Sequence, residues 1–371
     1  MLARAPRSVK PAASRRGRVR RDPWWLFAPL AGLALVAGCS AEEYPASTIA
    51  PVTGDFGAPI HDLYTTIFWW TVVILAVVYG VLAYVLVRFR ERPDRAPSRT
   101  RGHLLLEVGW TLVPAVIVVL IAIPTIQAVF RTQEPAPEGA LIVEVVGHQW
   151  WWEFRYPEQG VVTANELHLP VGRTVELRLW SAAVIHYFWV PRLGGKRDVN
   201  PRVRKPEGAE PGFTRLKFTV DEPGEYIGQC AEFCGLSHAL MRIRVFAEPP
   251  DAFAEWAETM RTPATPDSGT LADEGRRIFL GSTCVACHAI AGTTAQGQLG
   301  PNLSRVGARS MIGAGLIENA PENLAAWIRD PASIKPGAKM PGTGTGGGGF
   351  PPTGLSEEQV AAVAAYLSSL R

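Results

Sequence analysis

Two uncharged apolar runs stand out in the first third of the chain. Leu63 to Val87 and Thr111 to Phe130 carry no charged side chain, and about 20 apolar residues suffice to cross a bilayer as a helix. Pro114 and Pro124, in the second run, are tolerable in such a setting. The stretch between them, RFRERPDRAPSRTRGH, holds six arginines. An arginine-rich loop between two spans stays on the cytoplasmic side. The pattern predicts a transmembrane helical hairpin over 63–132, with a cytoplasmic loop at 88–103 and both outer ends extracytoplasmic.

Beyond this hairpin the period changes. From Leu141 to Phe246 short alternating segments follow one another (LIVEVVGHQWWWEFRY, VELRLWS, TRLKFTV, MRIRVFA), separated by turn residues. Period-2 alternation in short segments predicts an antiparallel β-sandwich over 140–248. Residues 249–270 begin with a short helical pattern and continue as the Pro-, Thr- and Ser-rich RTPATPDSG, a linker. From 271 to 371 the pattern is helical. One helix is expected before Cys284, one near Pro321 to Arg329, and one from Ser356 to Leu370, where Ser356 caps the start and Glu358 and Gln359 follow in the first turn.

Residues 1–22 are rich in arginine, and 23–38 form a shorter apolar segment ending in small residues before Cys39. That is the layout of a secretory signal peptide. Its end, Val36-Ala37-Gly38-Cys39, resembles a bacterial lipobox, which makes Cys39 a candidate for lipidation and leaves 39–62 as an extracytoplasmic segment. An uncleaved anchor is the alternative. Composition agrees with a membrane protein: 47% of residues are hydrophobic and 19% charged. The net charge of +3 comes with no basic face interleaved with aromatics, so nucleic acid is not an expected partner.

The five cysteines divide by context. Cys230 and Cys234 lie in CAEFCGLSHALM together with His238 and Met241. Two thiolates, an imidazole and a thioether form a soft ligand set that suits copper better than magnesium or calcium. A mononuclear electron-transfer copper site needs one cysteine; a pair of copper ions bridged by two thiolates accounts for the second. A disulfide would explain neither His238 nor Met241. His186, in VIHYFWVP, precedes this loop by a long interval, which is the ligand order of the cupredoxin fold. Cys284 and Cys287 sit in CVACH, a covalent haem-attachment pattern with His288 as proximal iron ligand. Met340, in KPGAKMP, is the candidate sixth ligand, with Met311 as the alternative.

These motifs together resemble subunit II of a haem-copper cytochrome c oxidase, in the form with a cytochrome c domain fused at the C-terminus. The resemblance rests on the hairpin with WTLVP, on GHQWWWEFRY, VIHYFWVP and CAEFCGLSHALM, and on CVACH with GPNL. It implies a multi-domain membrane protein: a two-helix hairpin, a cupredoxin-like all-β Greek-key domain, and an all-α cytochrome c domain. The implied binuclear copper A ligands are His186, Cys230, Glu232 through its carbonyl, Cys234, His238 and Met241. The Glu232 side chain would reach a magnesium or manganese ion at the interface with subunit I; an exposed acid is the plainer reading. Trp150 resembles the residue through which electrons enter, although packing of the sandwich accounts for some of Trp150 to Trp152. Glu107 resembles the acid at the mouth of a proton channel, and equally an ordinary helix-end acid.

The implied role is electron delivery from an outside donor, such as a cytochrome c or a quinol-cytochrome c reductase, to haem c, copper and then subunit I, with subunit III as a further partner. The implied location is the bacterial plasma membrane, and the coupled process is proton translocation. Where the family usually carries an acid three positions before the first copper-ligating histidine, this chain has Ala183. A tethered donor at millimolar effective concentration depends less on electrostatic docking. Two other readings remain: a quinol oxidase subunit, which lacks the copper ligands, and a membrane-anchored haem/copper carrier serving a nitrogen-oxide reductase, which needs neither the hairpin nor Glu107.

Overall fold

The computed structural model describes residues 52–90, 102–201, 212–266 and 269–371. The signal segment 1–38, Cys39 and most of the arginine loop lie outside these residues. The two apolar runs are helices, α1 (Gly57–Arg88) and α2 (Leu104–Gln133). Both extend past their apolar runs. Helix α1 begins six residues before Leu63, through Pro59, His61 and Asp62, because backbone hydrogen bonding continues beyond the length that hydropathy can register. The outer ends are tied to the β domain. Asp55 accepts hydrogen bonds from the Thr219 N–H (2.7 Å) and hydroxyl (3.2 Å), Phe56 is buried, and Arg197 donates to the Thr132 carbonyl at 3.1 Å.

Ten strands form the sandwich: β1 (Leu141–His148), β2 (Trp151–Tyr156), β3 (Val161–Ala164), β4 (Glu166–Pro170), β5 (Thr174–Ser181), β6 (His186–Trp189), β7 (Arg197–Val199), β8 (Thr214–Thr219), β9 (Gly224–Cys230) and β10 (Arg242–Glu248). One sheet runs β3-β2-β1-β5-β8 and the other β4-β10-β9-β6-β7. Alternate residues fill the space between them, among them Leu141, Val143 and Val145 of β1, Val175, Leu177 and Leu179 of β5, and Ile243 and Val245 of β10. Two details depart from the expected pattern. The pairs β1/β5 and β4/β10 are parallel, since the chain crosses to the opposite sheet and returns before each pair closes. The run LIVEVVGHQWWWEFRY is a hairpin, not one strand: His148 pairs with Trp151 across a two-residue turn at Gln149 and Trp150.

The region 249–270, expected as a linker, is mostly helix α3 (Pro250–Arg261). Its Trp256 stacks on His168, with ring centroids 4.3 Å apart, and meets Tyr156 edge-on at 5.2 Å, while Phe253 enters the sandwich core. The linker is therefore only 262–269. The C-terminal domain contains α4 (Thr270–Leu280), α5 (Cys284–Cys287), α6 (Pro321–Arg329), α7 (Pro331–Ile334) and α8 (Glu357–Ser368), with a small hairpin of β11 (Met311–Ile312) and β12 (Ile317–Glu318). The expected capping box is present: the Ser356 hydroxyl accepts from the Gln359 N–H, and the Gln359 side chain accepts from the Ser356 N–H.

Helices α4 and α8 cross where a side chain is missing. A Cβ on Gly275 would stand 1.9 Å from the Ala362 carbonyl oxygen. Gly275→Ala must push the two helices apart, at a cost of about 1–3 kcal/mol. The expected result is a lower denaturant midpoint for the C-terminal domain, followed by haem absorbance, with the β domain's transition unmoved.

Candidate functional site

The copper-loop residues converge because strands β9 and β10 are joined by a short loop whose base is closed. The Cys230 N–H donates to the Met241 carbonyl at 2.9 Å, fixing both loop ends on the ladder. Cys230 ends β9, His238 opens a short 3-10 turn (His238–Leu240), and Met241 follows it. Strand β6 lies beside β9 with Phe188 opposite Cys230, which brings His186 in from the neighbouring strand. His186 and Met241 have no exposed surface, and both cysteines are 4% exposed.

Cys230 Sγ lies 3.8 Å from Cys234 Sγ and 3.8 Å from His186 Nδ1. Cys234 Sγ lies 3.6 Å from His238 Nδ1 and 4.0 Å from Met241 Sδ. The sulfurs are nearly twice as far apart as the ~2.05 Å of a disulfide, so the disulfide alternative does not describe this site. The Glu232 carbonyl oxygen stands 3.2 Å from Cys230 Sγ. Its carboxylate belongs to a half-buried residue at the edge of the loop. All six residues singled out in the sequence are thus brought together.

The electrostatics ask for a cation. Against the effect of burial, the contact with Cys234 draws the Cys230 thiol well below its ordinary pKa, helped by His186 and the backbone at Glu232 and Tyr187. Cys234 is in turn pushed up by Cys230, because a second negative charge in the same buried loop is unfavourable. A positive ion among the donors removes that conflict. The donor set is soft, with His186, Cys230, Cys234 and Met241 buried, and it fits copper.

In the C-terminal domain, the single turn α5 carries Cys284 and Cys287, and His288 follows directly. Burial keeps both cysteines as neutral thiols. His288 Nδ1 donates to the Pro301 carbonyl at 2.8 Å, which fixes the ring and leaves Nε2 free to bind iron. Burial holds the His288 pKa below its ordinary value, opposed by the Pro301 bond, so the ring is neutral, as a ligand must be. A Cβ on Gly300 would lie 2.6 Å from His288 Cε1; only glycine leaves the imidazole its place. Met340 packs on the same apolar cluster as Cys284 and Val285. Met311, the alternative, lies in β11, and its N–H donates to Glu166 of the β domain.

Three matches with known families follow the chain in order. Residues 57–128 match the transmembrane domain of cytochrome c oxidase subunit II, 161–247 its periplasmic domain, and 272–371 cytochrome c. Cytochrome c oxidase subunit 2 of Alkalihalophilus pseudofirmus is 36% identical over 353 residues, covering 93% of this chain and 96% of the relative. The Bacillus subtilis protein of the same name is 33% identical, covering 91% and 94%. The chain belongs to the cytochrome c oxidase subunit II family. It is a subunit II with two apolar helices, a cupredoxin-like domain and a C-terminal cytochrome c domain. Among solved structures, the periplasmic domain of subunit II from Bradyrhizobium japonicum is 28% identical, covering 34% of this chain and 97% of that one, with a TM-score of 0.31.

Trp150 occupies the β1–β2 turn and is 8% exposed. Its indole N–H donates to the Cys234 carbonyl at 3.0 Å, and the Gln149 amide donates to the same oxygen at 2.9 Å. Gln149 was not legible as a site residue; its place beside Trp150 in the turn is the one signal it carries. Trp152 is fully buried and packs edge-on to Phe188, while Trp151 stacks on His148, so those two serve the sandwich. The loop that carries Met340 rests on this surface: a Cβ on Gly337 would be 2.8 Å from Leu236 and 3.2 Å from the Trp150 ring. Ser237 donates to the Pro336 carbonyl, and Lys339 donates to Gln149 Oε1 at 3.0 Å. Glu107 stands apart from both sites. It lies in the first turn of α2 and accepts from the His103 N–H at 3.3 Å, the contact an ordinary helix-end acid makes.

Met340→Ala is expected to abolish the absorption band of iron–thioether ligation while leaving the haem covalently attached. Met311→Leu should leave that band in place. Visible spectroscopy of the two variants distinguishes the ligands, and the opposite pattern would transfer the role to Met311.

Proposed function

We propose that this subunit is the electron input of a terminal respiratory oxidase that reduces oxygen in subunit I and couples this to proton translocation. Haem c is held by Cys284 and Cys287 through thioether bonds and by His288 and Met340 on the iron. A binuclear copper A centre is held by His186, Cys230, the Glu232 carbonyl, Cys234, His238 and Met241. When bound, both groups supply one-electron exchange. The protein's own task is to keep ligands fixed, so that little rearranges when the charge changes, and to keep water out of the loop.

The observation that carries this reading is the seating of the Met340 loop on Trp150, whose indole is hydrogen-bonded to the Cys234 carbonyl. That sequence of contacts supports an outside donor, a cytochrome c or a quinol-cytochrome c reductase, reducing the haem domain first. The Glu232 carboxylate, at the edge of the copper loop, is the candidate ligand for magnesium or manganese shared with subunit I, since hard cations take carboxylate oxygen. Subunit III completes the complex, and Glu107 is assigned to proton uptake by family resemblance alone. The hairpin belongs to the bacterial plasma membrane, with both soluble domains on the extracytoplasmic side. Cys39 is the proposed lipidation site.

A quinol oxidase subunit would not need the six-donor set that meets around Cys230 and Cys234. The second reading, a carrier for a nitrogen-oxide reductase, predicts isolation without a haem-copper catalytic subunit, and co-purification tests it. The copper assignment is tested by electron paramagnetic resonance. The subunit should give a mixed-valence two-copper signal together with one c-type haem, and Cys234→Ser should remove the copper signal; its survival would sink the ligand assignment. With Ala183 in place of an acid, electron transfer from haem to copper is expected to change little with ionic strength. A steep fall with added salt, followed by flash photoreduction of the haem, would count against an intramolecular route.

A further inference from the structure

Two long polar side chains are buried between the cytochrome domain and the sandwich, and neither belongs to the sites above. Glu166, in β4, is 5% exposed. One of its carboxylate oxygens accepts from the Ser310 N–H at 2.8 Å, the Ser310 hydroxyl at 2.6 Å and the Met311 N–H at 3.1 Å. Lys335, which opens KPGAKMP, is 4% exposed. Its Nζ donates to the Trp150 carbonyl and, at 3.2 Å, to the Gly313 carbonyl. Each domain thus sends one side chain into the other, where backbone groups satisfy it. A buried polar group left without such partners is unfavourable, so both contacts favour a single docked arrangement.

The two acceptors of Lys335 differ in kind. Gly313 lies in the cytochrome domain's own β11–β12 turn, whereas Trp150 belongs to the copper domain. The amine therefore links Trp150 to the body of the cytochrome domain, not only to the loop that carries Met340. Burial pushes the Lys335 pKa down to about 7, and the amine acts here through the two carbonyls it bonds. Lys335 lies five residues before Met340, and Gly337, between them, touches both Trp150 and Leu236.

We propose that Lys335 is a positioning residue for electron transfer: its amine fixes the Met340 loop on Trp150, so the haem and copper sites keep one spacing. This rests on the electron-delivery reading above. Without the amine, the cytochrome domain would remain tethered but would have to find its seat anew in each transfer.

The test is made on the assembled oxidase carrying Lys335→Met in this subunit. Flash photoreduction of the haem starts the reaction, and copper absorbance follows the electron's arrival. The haem and copper signatures should be unchanged, whereas transfer should slow by about tenfold to a hundredfold and become sensitive to salt and viscosity. A purely structural residue would not introduce that sensitivity while both signatures stay intact. A wild-type rate, insensitive to salt and viscosity, overturns the proposal. If Lys335→Met fails to assemble, Lys335→Gln takes its place under the same criteria, its shorter side chain falling short of the Trp150 carbonyl. Absence of either signature, or of transfer, in the unaltered complex would overturn the electron-delivery reading itself, so the two failures are read on different samples.

Discussion

Two cysteine sulfurs 3.8 Å apart in a sealed loop set the terms for the rest of the β domain. Burying one thiolate is unfavourable, and burying two side by side is worse unless positive charge lies between them. The fold answers with closure from every side: the ladder of β9 and β10 fixes the loop's ends, β6 brings His186 across, and Met241 closes the floor. The Gln149–Trp150 turn then hydrogen-bonds the carbonyl of Cys234 from outside. These supports come from three strands and one turn. The sandwich is therefore a means of holding a few donor atoms still, which is what a site that changes charge without changing shape needs.

The cytochrome domain depends on the same surface. Trp150 faces inward to the copper loop through its indole and outward to the cytochrome domain through its ring and carbonyl. The face of the copper loop nearest Trp150 is thus covered by another part of the same chain. Composition alone, a Pro- and Thr-rich linker ahead of a helical domain, gives no sign of this docking. A domain held only by its linker would present mostly surface contacts, whereas Glu166 is buried and bonded by Ser310 and Met311 of the cytochrome domain, and the buried Lys335 donates across to the Trp150 carbonyl.

Much of the architecture was legible because it rests on residue type and period. The hairpin follows from uninterrupted apolar runs, the β domain from alternation, and the candidate copper and haem ligands from soft donors at fixed spacings. The misses share a physical cause. Nothing in LIVEVVGHQWWWEFRY marks a turn, because its two turn residues are a glutamine and a tryptophan, held there by bonds to Cys234 some 84 positions away. The parallel pairs depend on chain crossings, which leave no local pattern. The short helical pattern that opens 249–270 gives no sign that helix α3 packs on the sandwich, because its anchors, Phe253 and Trp256, are few in a polar stretch. Glu166 and Lys335 escaped notice since backbone N–H and C=O groups, their partners, are present at nearly every residue.

Helix α3 has one more effect. By lying on the sandwich it leaves only residues 262–269 to join the two soluble domains, a span that cannot exceed about 32 Å even when fully drawn out. The cytochrome domain is thereby confined to the copper loop of its own polypeptide.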